Sequence, residues 1–339
     1  MPANMKDVAQ RCGVSIKTVS NVINRLPNVG EKTRKAVLEA IRELNYVPNI
    51  QARSLVMKQP GAKSQLGYRI GCIFPNGTGK YDDTYFTMIF KGIEEEIANQ
   101  GQQLSFLSSA TELEENPLKM NWLLAPEQTD AVLSFVGPDS PLFERFSKMP
   151  FILIGGESKD CETVCIDKSG GAAELLRHLY DLGHRDIAYI GPLNDGRCRA
   201  FRFEAMQRGL SLRDDCMIES GCWGMEPGRT GAKRLLALEQ RPTAVFAASD
   251  RLAFGVMHEL QDAGLRIPRD ISVAGYDNLP ESRIVYPALT TVDINKEGTG
   301  RLAVRLLLDR IRNPQRENAT HTLPTRLVIR TSTGKVVKS

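Results

Sequence analysis

The sequence predicts a small all-α head joined to an α/β body, and three observations carry that prediction. Residues 7–24, DVAQRCGVSIKTVSNVIN, hold two short apolar-periodic segments that meet across Gly13 and Val14. Positive charge gathers in residues 1–58, where ten Lys and Arg face four Asp and Glu for a net +6, while the remainder carries 34 bases and 36 acids for a net −2. From Tyr68 onward, short apolar runs alternate with stretches of helical period, the pattern of parallel strands buried between helices.

The head reads element by element. Residues 7–12 make a first helix with Val8, Ala9 and Cys12 on one face. Ser15 stands at the N-cap of a second helix, residues 16–24, whose Val19, Val22 and Ile23 point inward. Its outward positions Lys17, Thr18, Ser20 and Asn21 are all hydrogen-bonding types. Two short helices joined by a sharp glycine-containing turn are the helix-turn-helix pattern, whose second helix lies in the DNA major groove. A loop with Pro27, Asn28 and Gly30 leads to a third helix over 31–44, with Val37, Ala40, Ile41 and Leu44 on its stripe. Pro48 ends it, because the residue before a proline avoids the helical region. Residues 50–58, IQARSLVMK, are helix-capable but too short to stand alone, since isolated helices below ~12 residues are marginal. Residues 59–67, QPGAKSQLG, read as a linker.

The body divides into two α/β units in tandem. Strands are expected at 69–74, 104–107, 131–136 and 151–155, with a helix over 85–99. A second set begins near Val164: a strand at 164–167, then strands at 186–191, 244–249 and 271–277. Helices over 171–182, 199–208 and 252–263 separate them. The chain closes with a helix over 296–312 and a strand near 327–330. Two such units place a ligand cleft where the carboxyl ends of their strands face each other.

Taken together, the motifs resemble the LacI/GalR family of bacterial transcriptional regulators. The head supplies residues 7–24, then KTRKAVLEAIRELNYVPN and ARSL; the body supplies YFTMIFKGIE, VCIDKSGGA, HLYDLGHRDIAYIGP, SDRLAFGVM, GLRIPRDISVAGYDN and PALTTV. The resemblance runs from about Met5 to about Thr331. It implies two tandem doubly wound parallel-sheet subdomains of the periplasmic-binding-protein-like kind behind the helix-turn-helix head. It implies a head over 1–48, a hinge helix and linker over 49–67, and a body over 68–332. The first subdomain would take 68–164 and 293–320, the second 165–292 and 321–332. It further implies a repressor that binds a near-palindromic DNA operator as a homodimer, governed by a sugar-like effector in the cleft.

Residue roles follow the same resemblance. Ile16, Lys17 and Asn21 match base-reading positions: Lys17 could donate to guanine O6 and N7, Asn21 could read a base edge, and Ile16 could meet a thymine methyl. Thr18 and Ser20 suit phosphate contacts, and Asn24 and Arg53 complete the DNA-facing set. Leu55 matches a minor-groove lever that wedges between base steps and kinks the duplex. Gly30 departs from the serine common in the family, a change worth only a few tenths of a kcal/mol at an N-cap. In the cleft, Asp277 and Arg199 match positions that hold polar groups of the ligand, and Ser249 matches another. Phe86 and Trp223 match aromatic walls, Asp83 lies on the loop before Phe86, and Arg202 replaces a glycine common in the family.

Other classes find little support. The composition is that of an ordinary globular chain, and no apolar run approaches the ~20 residues needed to span a bilayer. The seven cysteines form no CxxC pair and the four histidines are scattered, so neither a metal nor another cofactor is expected. Reduced thiols and the absence of a signal segment point to a cytoplasmic protein. An enzyme on the same body is the main alternative, yet no Gly-x-Ser-x-Gly elbow or His-Glu-x-x-His pair occurs. Gly79-Lys80 is no phosphate loop, since Tyr81 follows and Phe74 stands where its first glycine belongs. A secreted solute-binding protein is the second alternative; the basic head counts against it. With no terminal leucine heptad, a dimer is expected rather than a tethered tetramer.

Overall fold

The computed structural model describes residues 5–23, 29–44, 67–75, 83–125, 127–156 and 158–336. The expected hinge helix, together with Asn24, Arg53 and Leu55, lies outside the described residues.

Among the described residues three helices form the head: α1 (Met5–Cys12), α2 (Ile16–Ile23) and α3 (Glu31–Glu43). Val8, Ala9, Val19, Val22, Val37 and Ala40 make a six-residue core, with Cys12, Ile41 and Leu44 packed at its edge. Gly13 makes the turn possible. Its φ of 65° is a left-handed conformation that a residue bearing Cβ adopts only at a cost. The Val14 amide then bonds the Ala9 carbonyl at 3.1 Å, closing α1. Ser15 caps α2 as the sequence predicts, its Oγ accepting from the Thr18 amide at 3.0 Å.

The body is two lobes built on parallel sheets. The first begins with β1 (Arg69–Phe74), α4 (Thr84–Asn99), β2 (Gln103–Ser109), α5 (Ala110–Glu115) and α6 (Pro117–Leu123). It continues with β3 (Ala131–Ser134), α7 (Phe143–Phe146), β4 (Phe151–Ile154) and β5 (Glu162–Ile166). The second holds α8 (Lys168–Asp181), β6 (Ile187–Ile190), α9 (Gly196–Gln207), β7 (Met217–Ile218), α10 (Met225–Leu236), β8 (Ala244–Ala247), α11 (Asp250–Asp262) and β9 (Ser272–Ala274). The chain then runs through β10 (Thr291–Asp293), α12 (Lys296–Arg312), β11 (Thr320–Leu323) and β12 (Arg326–Val328).

Among the described residues the first lobe's sheet has the order β11-β5-β4-β3-β1-β2 and the second lobe's the order β7-β6-β8-β9. All their pairings are parallel. In both, the strand order reverses beside the first strand of the lobe, and that reversal opens a crevice at the strands' carboxyl ends. Their four-residue core strands β3, β4, β6 and β8 are buried throughout, which is why they read as unbroken apolar runs.

Helices cover both faces. α4 and α12 pack on one side of the first sheet with Ile89, Ile93, Val304 and Leu307; Leu113, Met120 and Phe146 fill the other. α4 and α12 approach closely through glycines, since a Cβ on Gly92 would stand 2.1 Å from the Glu297 carbonyl oxygen and one on Gly300 2.1 Å from that of Ile89. The lobe boundaries differ from the expected ones in two places: β5 stays in the first sheet through Ile166, so the first crossing falls after it and not at 164, and the last crossing moves as well. Thr320–Leu323 pairs in register with residues 163–166, so this strand belongs wholly to the first sheet and the last crossing falls after Leu323, not at 320. The antiparallel β10–β12 ribbon lies between the two sheets in the chain path, and its short strands give no periodic signal of their own.

Candidate nucleic-acid face and ligand cleft

The first two helices of the head pack their apolar faces together and leave the opposite side of α2 outward. Ile16 is 48% exposed and Lys17 is exposed, while Thr18, Ser20 and Asn21 are partly exposed. Thr18 also stiffens the cap while facing outward, because its hydroxyl shares a 2.9 Å hydrogen bond with that of Ser15. The arrangement gives one helix face an apolar contact, a cation and amide and hydroxyl groups, the mixture that reads base edges and holds phosphates.

In the body, a cavity of about 300 Å³ opens between the two lobes. Its walls come from the carboxyl ends of strands and the helices that follow them: Pro75 after β1, Phe135 after β3, Asp195 after β6, Ser249 after β8 and Asp277 after β9. Five residues singled out from the sequence meet here: Asp83, Phe86, Trp223, Ser249 and Asp277.

Arg199 does not join them. α9 begins at Gly196 with Asp195 as its N-cap, three residues before the expected start at 199. Arg197 therefore sits in the first turn and enters the cleft, and Arg199, two residues on, is rotated about 200° away. Arg199 is exposed and donates from Nη1 to the Asn194 carbonyl at 2.6 Å. Arg202 is exposed as well and lies away from the cavity lining.

Arg197 is the polar centre of the cleft. It is 6% exposed, its guanidinium lies 4.7 Å from the Trp223 ring and 4.6 Å from the Tyr276 ring, and Nη1 donates to the Ala248 carbonyl at 2.8 Å. Nη2 stands 3.7 Å from Asp277 Oδ1, too far for a direct hydrogen bond. Both Asp277 Oδ1 and Arg197 Nε are buried without a hydrogen-bond partner among the described residues. Burial pushes the Asp277 carboxyl up to about 6, against the pull of Arg197 and Lys296. Asp277 also has a φ of 113°, and its carbonyl is held by Lys296 Nζ. Burial also works against ionised Asp195, yet Arg197 and Lys168 beside it hold its carboxyl below the usual range. Lys168 Nζ is 3.4 Å from Asp195 Oδ2.

The aromatic walls are braced from behind. Phe86 meets Phe135 edge-on with centroids 5.3 Å apart and Tyr85 edge-on at 5.0 Å. Ser249 is 3% exposed, and its hydroxyl is already engaged, capping α11 through the Leu252 amide and donating to the Trp223 carbonyl at 3.3 Å. It fixes Trp223 against Arg197. Sequence reasoning missed Arg197, Lys168, Asp195, Tyr85 and Arg251. The usable signal was Asp195, a strong N-cap residue that moves the helix start forward and brings Arg197 to the cleft.

Among the described residues, no helix is long and apolar enough to cross a membrane, and no group of three or more His, Cys, Asp and Glu could hold a metal ion.

Comparison with known proteins finds matches over both the head and the body. Residues 4–49 match the bacterial regulatory proteins of the lacI family, and residues 176–333 match the periplasmic binding protein-like domain. The HTH-type transcriptional repressor PurR of Mannheimia succiniciproducens is 33% identical over 98% of this chain and 99% of its own length. Among solved structures, the lac repressor dimer bound to operator and the anti-inducer ONPF is 25% identical, with a TM-score of 0.83 over 98% of this chain and all of the other. A transcriptional regulator CelR–cellobiose complex is 26% identical, with a TM-score of 0.69 over 97% of this chain and 99% of the other.

Proposed function

The chain belongs to the lacI family of bacterial regulatory proteins, and from that premise we propose how its two sites divide the work. It is a DNA-binding transcriptional repressor that acts as a homodimer on operator DNA under the control of a small molecule. The α2 face carries the operator contacts, with Lys17 and Asn21 reading base edges, Ile16 meeting an apolar base group, and Thr18 and Ser20 holding phosphates. Asn24, Arg53 and Leu55 join the DNA contact, Leu55 as the minor-groove wedge.

The cleft takes a neutral, hydroxyl-bearing effector of the sugar class. One observation carries this reading: a buried acceptor, Asp277 Oδ1, 3.7 Å from Arg197 Nη2, and a buried donor, Arg197 Nε, 3.8 Å from Asp195 Oδ1, both lack hydrogen-bond partners among the described residues. Leaving such groups unsatisfied costs free energy that a ligand hydroxyl, donor and acceptor at once, recovers. Phe86 and Trp223 would flank its apolar face, Asp83 lies at the rim, and Ser249 acts by positioning Trp223. The charged side chains of the wall pair among themselves, which disfavours an anionic ligand. An effector that prefers one closure of the lobes shifts the dimer between operator-binding states by its differential affinity.

The test is a thermal-shift screen of the full chain against sugars, sugar phosphates, polyols and nucleobases, followed by operator gel retardation with each hit. A neutral polyhydroxylated hit that alters operator affinity supports the reading. A hit confined to sugar phosphates or nucleobases would overturn the proposed ligand class, and a Lys17→Ala variant that binds operator unchanged would overturn the assigned DNA face.

A further inference from the structure

The two lobes touch across the mouth of the cleft through polar groups at its rim. Asp83 precedes α4 in the first lobe and caps it, Oδ1 accepting from the Tyr85 amide at 2.9 Å. Its Oδ2 lies 3.2 Å from Nη1 of Arg251, the second residue of α11 in the other lobe. The next residue, Thr84, donates its hydroxyl to Glu281 Oε1 at 3.0 Å, again across the cleft. Glu281 Oε2 is buried without a hydrogen-bond partner among the described residues.

Arg251 is poorly placed for its own helix. The amino end of α11 carries the positive end of the helix dipole, which favours anions and disfavours a cation in the first turn. One carboxylate from the opposite lobe offsets that cost while it completes the cap of α4. If the lobes part, Asp83 keeps its cap and Arg251 loses its counter-charge.

We infer that Asp83 and Arg251, with the Thr84–Glu281 bond beside them, form a latch that holds the lobes together without ligand and sets how readily the cleft opens. Arg251 is a positioning residue: it acts on the closure of the lobes. The pair is partly exposed, with side-chain exposures of 15% for Asp83 and 39% for Arg251, so its contribution is modest. Losing it should raise the open fraction about two- to fivefold. A bias of that size still lets thermal motion open the cleft and lets a ligand with differential affinity for one state shift the balance. The consequence for effector response rests on the cleft being the effector site; the latch itself does not.

Trp223 lines the cleft and is 39% exposed with the lobes together, so a further rise in its exposure reports opening once the more exposed Trp122 is replaced by Phe. In that background, acrylamide quenching of the full chain without ligand would be compared for Asp83→Asn, Arg251→Gln, the double variant and Arg251→Lys. The latch requires both single variants to raise Trp223 quenching, the double to match the singles, Arg251→Lys to restore much of the protection, and salt to raise quenching in the parent but not in the double. Unchanged quenching in Arg251→Gln, or additive effects in the double, overturns it. Operator affinity measured on the same variants should move in one common direction. Failure of every variant and the parent to bind operator would sink the regulator reading, and the quenching series would still decide the latch.

Discussion

Asp277→Asn removes a carboxylate that the fold holds at a cost, and its effect on stability should depend on pH in a calculable way. Asp277 is 6% exposed and its carboxyl stands at about 6 against an ordinary 3.8. A carboxyl raised in the folded state favours folding most when protonated in both states. Its contribution is therefore full below 3.8 and is lost as pH rises through about 6. At about 1.36 kcal/mol per pH unit between the two values, the whole loss is about 3 kcal/mol, with roughly half of it developing between pH 5 and pH 8. An asparagine at this position keeps the shape, carries no charge and tolerates the left-handed backbone, so the variant should escape that loss. The assay is urea unfolding of parent and variant at pH 5, 6, 7 and 8 and one fixed protein concentration, because a dimer's stability depends on concentration. Taking the difference at each pH cancels the other titrating groups. The variant should gain on the parent mostly between pH 5 and pH 7 and level off above that, while its operator affinity no longer responds to effector. A stability difference that stays flat from pH 5 to pH 8, or that moves against the variant, would refute the buried-charge account of this site.

Three further outcomes follow. Arg197→Met should abolish the effector response, because it leaves the Asp277 carboxylate uncompensated, whereas Arg199→Ala should leave effector titrations of operator binding unchanged. Gly92→Ala should destabilise the full chain by about 1–3 kcal/mol in urea unfolding, since its Cβ meets the Glu297 backbone where α4 and α12 touch. Ser15→Ala should cost the head about 1 kcal/mol and weaken operator binding, read by gel retardation, because the cap that starts α2 also fixes the orientation of Lys17.

Much of this protein is local and legible as such. The turn at Gly13, the cap at Ser15 and the apolar stripes of α1, α2 and α3 depend on residues within a few positions of one another. Helical period and capping preference therefore locate them, and they place Lys296–Arg312 to the residue for the same reason. The body's longer buried strands are legible because burial on both faces demands uninterrupted apolar runs. Short elements are not: α5 and α6 are too brief to show a clear period, and β7, β10 and β11 owe their existence to a neighbouring strand. His321 in β11 is an example. Nothing near it in sequence says strand, yet register with Val164 makes it one.

By itself the sequence determined the head, its basic charge, the tandem α/β plan and five of the residues that line the cleft. Only the tertiary structure decided that Arg197 and not Arg199 faces Asp277. A difference of two positions on a helix is a rotation of some 200°, and which side faces inward depends on where the helix starts and what it packs against. The tertiary structure likewise brought Asp83 to Arg251, 168 positions apart in the chain. An ion pair of that separation has no local signature, because the counter-charge of Arg251 lies in the other lobe and the two meet only when the lobes close.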